Sequence, residues 1–219
     1  MVALALTGIV LGGCAQAPED HANSFLPSSE KDIVELASFE TASGPAELHP
    51  AAQRIEDLSR EVIAILSDSS SSKKQREAHF GQLLARDLDI PLIARFVMGK
   101  HWRRATDEQK RNYMSAFRNY VIQTYSARLG GAEVDSFNII NTKVIGKKDI
   151  LVVSNVAKAS TKPIRANWRL RQRNGAYRIL DLSVEGISMA LTLRQEFSAI
   201  LKNKDGVSTL ISILQKRNA

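Results

Sequence analysis

Apolar residues recur at Ile55, Leu58, Val62, Ile63 and Leu66, a spacing of three and four that predicts a helix over Ala51–Leu66 with one inward face. The stretch SDSSSSKK, residues 67–74, then breaks the pattern, because four consecutive serines cannot build a core face. A second helix is predicted over Arg76–Leu88, with Phe80, Leu83 and Leu84 inward. Pro91 sits in the first turn of a third, IPLIARFVMG, which closes at Gly99. The clearest helical signal follows. Thr106 is a good N-cap, Gln109 completes a capping box with it, and Asp107 and Glu108 sit at the positive helix end. Tyr113, Phe117, Tyr120, Val121, Thr124, Tyr125 and Leu129 form one broad stripe, ended by Gly130-Gly131. A stripe of this kind reads as ordinary core. Its three tyrosine hydroxyls need partners or water, so it also suits the wall of a partly hydrated cavity.

From Val134 the period drops to two. VDSFNIINTKVIG, DILVVSNVAKAS, KPIRANWRLRQR and AYRILDLSVEG read as about four strands, and Asn174-Gly175 is a strong hairpin signal. The third alternates plainly, with Ile164, Ala166, Trp168 and Leu170 on one face and Arg165, Asn167, Arg169 and Arg171 on the other. One buried face implies an antiparallel sheet covered on one side. Glu185-Gly186 then turns the last strand directly into a helix over Met189–Leu201, capped by Ser188, and a final helix covers Asp205–Gln215. The predicted class is α+β: a mainly helical N-terminal half packed on a roughly four-stranded antiparallel sheet, with C-terminal helices covering it. In this arrangement Ile187, Met189, Leu193 and Phe197 face the apolar strand residues. Packed tightly they are core, and held apart they make a greasy pocket.

The N-terminus changes the picture of where the chain works. It is apolar from Val2 to Leu11, carries no charge before Glu19 and ends in Leu11-Gly12-Gly13-Cys14. An apolar run of about ten residues is too short to span a bilayer but suits an export signal. LGGC also looks like a lipobox, which makes Cys14 a lipidation candidate; the alternative is cleavage near Ala15 or Ala17 and a soluble product. The expected organisation is an export signal over residues 1–17, a flexible tether over 18–50 containing at most a short helix at Asp32–Phe39, and one folded domain over 51–217. Cys14 is the single cysteine, so there is neither an intrachain disulfide nor a thiolate zinc cluster.

Charge is unevenly spread. Residues 19–89 hold 7 basic and 14 acidic side chains, whereas residues 90–219 hold 23 basic and 9 acidic. A basic C-terminal half either faces a membrane surface, an acidic partner or nucleic acid, or simply keeps the protein soluble. Nucleic acid fits poorly, since Trp168, the candidate for base stacking, lies on the opposite strand face from the arginines and an export signal removes the usual targets. Catalysis finds no footing either. His21 and His49 fall in the tether, His79 and His101 have no metal-ligating spacing, and no nucleophile elbow, phosphate loop or dinucleotide fingerprint occurs. Asp181 and Glu185 lie roughly 13 Å apart along a strand, so Asp181 is expected to pair with Arg169 or Arg171 instead.

Three segments carry a resemblance. FVMGKHWRRATDEQKRNYMSAFRNYVIQTYSARL, YRILDLSVEGISMALTLRQEFSAIL and GVSTLISILQKR look like the MlaC family of periplasmic phospholipid-binding proteins, also called the toluene-tolerance auxiliary family. The matching features are the Gly99…Trp102…Ala105-Thr106 junction, the Phe117…Tyr125 helix and the Asp181…Glu185-Gly186…Ser188 turn, within a likeness from about His79 to Lys216. The resemblance implies a noncatalytic carrier, without cofactor or metal, that encloses phospholipid acyl chains. It further implies shuttling between an outer-membrane lipoprotein complex and an inner-membrane ABC transporter with an MCE-domain subunit, which maintains outer-membrane lipid asymmetry. A hopanoid-associated branch and a lipid-anchored adaptor with a basic partner-binding face are the alternatives. Members are commonly soluble, so a lipobox departs from the pattern.

On that reading the lipid-binding candidates are Phe96, Val97, Trp102, Tyr113, Phe117, Tyr120, Val121, Tyr125, Ile139, Val152, Trp168, Leu170, Ile187, Met189, Leu193 and Phe197. The partner-binding candidates are Arg165, Arg169, Arg171, Arg173 and Arg178, expected to dock an acidic surface on the transporter or outer-membrane partner, or anionic headgroups. Reversing Arg169 and Arg171 is then expected to slow lipid transfer while leaving stability nearly unchanged.

Overall fold

The computed structural model describes residues 48–158 and 161–217. Cys14, the apolar N-terminal run and the Asp32–Phe39 segment lie outside the described residues. The described chain is α+β. Seven helices run as α1 (Pro50–Ser67), α2 (Lys73–Asp87), α3 (Ile90–Met98), α4 (His101–Arg104), α5 (Asp107–Leu129), α6 (Met189–Leu201) and α7 (Gly206–Arg217). Between α5 and α6 lie β1 (Ser136–Ile145), β2 (Asp149–Ala157), β3 (Ile164–Arg173), β4 (Ala176–Val184) and β5 (Ile187–Ser188). The strands form one antiparallel sheet in the order β1-β2-β3-β4-β5. The two-residue β5 is an addition to the four strands expected.

The helix ends are fixed by local chemistry. Ser72 and Gln75 form a capping box that starts α2 three residues earlier than expected, and Thr106 and Gln109 form the one expected for α5. Thr106→Ala is therefore expected to cost about 1 kcal/mol, read as a shift in the urea midpoint. His49 belongs to the fold rather than to a tether. Its Nδ1 accepts a hydrogen bond from the Ala51 N–H at 3.1 Å, and its ring meets Tyr177 edge-on at 5.9 Å. With the first orphan N–H groups of α1 satisfied, Pro50 can occupy the opening position, where a missing N–H costs nothing.

Both tight turns at β4 place two residues in the left-handed region: Asn174 and Gly175 at φ 49° and 77°, then Glu185 and Gly186 at φ 50° and 82°. Paired positive φ values match the twist of a two-residue hairpin. Glu185 holds this conformation without being glycine because it exchanges bonds with Arg165. Its N–H donates to the Arg165 carbonyl at 3.0 Å, and its carboxylate accepts from the Arg165 N–H.

Register settles which strand residues share a face. Ile150, Val152 and Ser154 stand opposite Leu170, Trp168 and Ala166, and this face is buried. Leu151 and Asp149 stand opposite Arg169 and Arg171 on the other. Helix α1 lies against β1, β2 and β4, while α3 and α6 pack together and reach β4. Behind them α5 packs between α2 and α7. The α2–α3 junction is pinned to the sheet, since Leu88 bridges Ile179 and the Asp89 N–H donates to the Ile179 carbonyl at 2.9 Å.

Candidate functional site

The apolar candidates separate into three groups. Val97, Tyr113, Phe117, Tyr120, Val121, Val152, Leu170, Met189, Leu193 and Phe197 are buried in one continuous cluster. An aromatic chain runs through it: Trp102 to Tyr113 at 6.4 Å, Tyr113 to Phe117 at 5.5 Å, Phe117 to Phe197 at 6.3 Å, and Tyr120 to Phe197 at 6.1 Å. The Tyr113 hydroxyl donates to the Ala94 carbonyl at 3.1 Å, and burial holds its phenol well above the ordinary tyrosine range. A satisfied hydroxyl at zero exposure belongs to a packed interior.

Trp102, Tyr125, Ile139 and Trp168 are only half-buried against that cluster. Two of them share one sheet face, where Ile139 stands opposite Ser154, the partner of the Trp168 indole. Tyr125 and Leu129 lie at the end of α5, which a six-residue link joins to β1, and they, Phe137 and Ile139 are each half-buried against the cluster. Val62, Ile65 and Leu66 end α1, which leads directly into α2 beneath the end of α5. Trp168 meets Phe137 at 6.3 Å, and its indole N–H donates to Ser154 Oγ at 2.9 Å. Burial raises the Tyr125 phenol, with Tyr120, Glu196 and Asp181 adding to it and Arg128 opposing. The Tyr125 hydroxyl has no hydrogen-bond partner among the described residues. The half-buried group therefore offers apolar side chains, one satisfied indole and one hydroxyl unpaired among the described residues.

Sequence reading missed Phe137 and Ser154, which both meet Trp168. The shared alternation of Phe137 with Ile139 was the signal for the first. The third group, Phe96 and Ile187, stands at the surface. Ile187 does not face the strands, because the Glu185-Gly186 turn spends it on β5, where it is 45% exposed. Phe96 is 40% exposed, beneath the Arg194 guanidinium at 4.9 Å.

The strand-to-helix joint is built around Asp181, but not by the ion pair expected. Its carboxylate accepts from Ser188 Oγ at 2.6 Å and from the Ala190 N–H at 3.0 Å, while Ser188 Oγ accepts from the Leu191 N–H at 3.1 Å. A β4 carboxylate thus caps α6 directly, and the negative charge suits the positive helix end. The short joint fixes how α6 lies over the sheet.

The arginine face also differs from expectation. Asp149, buried to 3% exposure, binds both Arg169 and Arg171. Desolvation opposes its ionisation, but the Arg171 and Arg169 hydrogen bonds outweigh that and hold the carboxyl below its usual range. Arg173 is bound by the equally buried Asp89 at 2.7 Å. Three of the five partner-binding candidates are thus engaged by carboxylates, while Arg165 and Arg178 form no ion pair among the described residues. The cause is that Asp149 opens β2 directly opposite Arg171.

Two clefts are open to solvent. One of about 440 Å³ lies between α2 and α5, lined by residues including Glu77, Gly81, Arg118 and Ile122. The other, about 350 Å³, lies at the β1–β2 hairpin beside Lys147, Lys148, Arg169 and Arg171. Neither is lined by an apolar candidate. Among the described residues no three His, Cys, Asp or Glu side chains gather to hold a metal, and no helix is long and apolar enough to cross a membrane.

Known proteins match this fold and sequence. The chain is 22% identical over 157 residues to the intermembrane phospholipid transport system binding protein MlaC of Haemophilus influenzae, covering 68% of this chain and 73% of that protein. A solved phospholipid-binding protein from Ralstonia solanacearum, in complex with a phospholipid, superposes with a TM-score of 0.67 at 20% identity, covering 78% of this chain and 97% of that one. The family described as MlaC protein matches residues 56–216, nearly all of the folded domain, and the chain belongs to that family.

Proposed function

We propose that the protein is a periplasmic phospholipid carrier that takes acyl chains between its sheet and helices and passes lipid between membranes. Half-buried apolar side chains at the edge of the cluster carry this reading: Tyr125, Leu129, Phe137, Ile139 and Trp168 pack against it and are each only partly covered. Each methylene transferred from water contributes about 0.8 kcal/mol, so two chains supply ample driving force without a charged clamp or a reaction. Membership of the MlaC family, and the phospholipid named for both relatives, support the cargo. The same membership supports, as exchange partners, an MCE-domain subunit of an inner-membrane ABC transporter and an outer-membrane lipoprotein complex.

A second reading has an observation of its own. Tyr113, Phe117, Val121, Val152 and Leu170 have essentially no exposure, as in a solid core, which suits an adaptor that binds a partner and no lipid. Native mass spectrometry of gently purified protein separates the two. A carrier arrives with one or more phospholipids bound, released on mild activation; protein that arrives bare, and stays bare after incubation with lipid, is the adaptor.

A further inference from the structure

One group of cations in the basic half that form no ion pair among the described residues stands at a corner far from the strand arginines in sequence. From Arg95 to Arg104 the chain carries Arg95, Lys100, Arg103 and Arg104 with no acidic residue between them. None of the four forms an ion pair among the described residues, and all four are exposed. Arg194 of α6 joins them, exposed and unpaired by any carboxylate, because α3 and α6 pack side by side. Two of these cations lie over aromatic faces, Arg95 above Trp102 at 5.3 Å and Arg194 above Phe96 at 4.9 Å. The same corner displays large apolar side chains to solvent. Phe96 is 40% exposed, and Leu191, one turn before Arg194 on α6, is 52% exposed. Ile187 lies just before that helix at 45%.

Exposed apolar groups on elements that also carry exposed cations without ion pairs among the described residues have the composition of an interfacial surface. The rings and aliphatic chains suit the headgroup–acyl boundary, and long basic side chains reach anionic headgroups from above it. The contrast with β3 is instructive. There Asp149 and Asp89 hold Arg169, Arg171 and Arg173 in place; here no carboxylate among the described residues holds the cations, which rest at most on aromatic faces and can turn to a fluid surface. Neither of the two clefts is lined by residues of this corner.

We infer that the α3–α4–α6 corner, with Phe96, Leu191 and Ile187 among Arg95, Arg103, Arg104 and Arg194, docks the protein on anionic bilayer surfaces. The purpose of this docking rests on the carrier reading, as the place where cargo meets its donor or acceptor membrane; the docking itself requires no cargo.

The test is flotation with vesicles of phosphatidylcholine alone or with added phosphatidylglycerol, using the full chain carrying Cys14→Ser so that no acyl anchor contributes. The protein floats with the phosphatidylglycerol vesicles, weakly or not at all with phosphatidylcholine, and less at high salt. Each cation near an anionic surface contributes on the order of a fivefold partition factor, so Arg103→Glu with Arg104→Glu lowers flotation at least tenfold. The same charge change at the exposed Lys147 and Lys148 leaves it within about twofold, and Phe96→Ser with Leu191→Ser lowers it even at low salt. Thermal melts verify that each variant folds. Equal loss in both charge variants overturns the proposal, since net charge alone would then be acting. Absence of flotation overturns it too, and if Arg103→Glu with Arg104→Glu then slows transfer to an isolated protein partner, the corner serves that partner instead. Protein that floats but never carries phospholipid in native mass spectrometry sinks the carrier reading and leaves the docking surface standing.

Discussion

Reversing Arg169 and Arg171 together to glutamate is expected to destabilise the protein by about 3–5 kcal/mol, the usual cost of stranding a buried charge. Asp149 is the reason. Its side chain is almost wholly enclosed while both arginines are partly exposed, so removing them leaves the carboxylate desolvated and unpaired. For a chain of this size the loss corresponds to a fall in Tm of roughly 6–20 °C. Adding Asp149→Asn to the double variant recovers most of it, because an amide carries no charge to strand. The pH dependence has a definite sign. In the parent the Asp149 carboxyl is held low, so its contribution is complete above its ordinary value of 3.8 and disappears as pH falls through the depressed one. In the variant the stranded carboxyl titrates high instead, so its penalty eases as pH drops toward that ordinary value. The gap between parent and variant is therefore widest at neutral pH and closes in acid. Urea midpoints across pH measure it. A variant as stable as the parent at neutral pH, or a gap that Asp149→Asn leaves untouched, would show that the clamp does not stabilise the fold.

Phe117→Ala is expected to cost about 3–5 kcal/mol. Phe117 has zero exposure and touches Tyr113 on its own helix and Phe197 on α6, so truncation opens a void that neither neighbour can fill without leaving its rotamer. The result also assigns the residue. A ring against a lipid-filled space has less protein packed around it, and its truncation would enlarge that space at a cost below about 1 kcal/mol. Denaturation of delipidated protein reads the difference. A small cost together with altered cargo in native mass spectrometry would return Phe117 from the closed interior to the lipid wall.

The fold was legible wherever a local rule acts alone. The Thr106/Gln109 box, the period-two run through β3, the Asn174-Gly175 turn and the Ser188 cap each depend on residues a few positions apart, and each is present as read. The site was less legible because its properties come from residues far apart in sequence. Alternation placed Arg169 and Arg171 on one strand face correctly, but their neutralisation depends on Asp149, some twenty residues earlier and adjacent only through the β2–β3 register. Asp181 was assigned the arginines that stand beside it in the ladder. Its carboxylate instead turns to the N–H groups opening α6, which a strand pattern does not reveal. Ile187 fits the helical stripe of α6 by spacing, yet the Glu185-Gly186 turn uses it to close β5. Burial within the α5 stripe was equally hidden, since the periodicity that puts Tyr113 and Tyr125 on one face cannot say that the first is sealed and the second half open.

The strand order bears on how the molecule comes into being. Every strand pairs with the one made immediately before it, through links of three residues after β1, six after β2 and two after β3. Short loops keep closure entropy low, so the sheet can zip outward from its tightest turn as soon as that stretch of chain is free. Helix α1 has the opposite history. It is made first, but β1, β2 and β4 against which it rests are made after the four helices that follow it. Until they arrive its apolar face lacks the sheet and, among the described helices, leans chiefly on α2, so the hazard of sticking to other chains is concentrated in that interval. The time needed to finish the sheet, rather than the time needed to form any helix, sets how long the newborn protein is vulnerable.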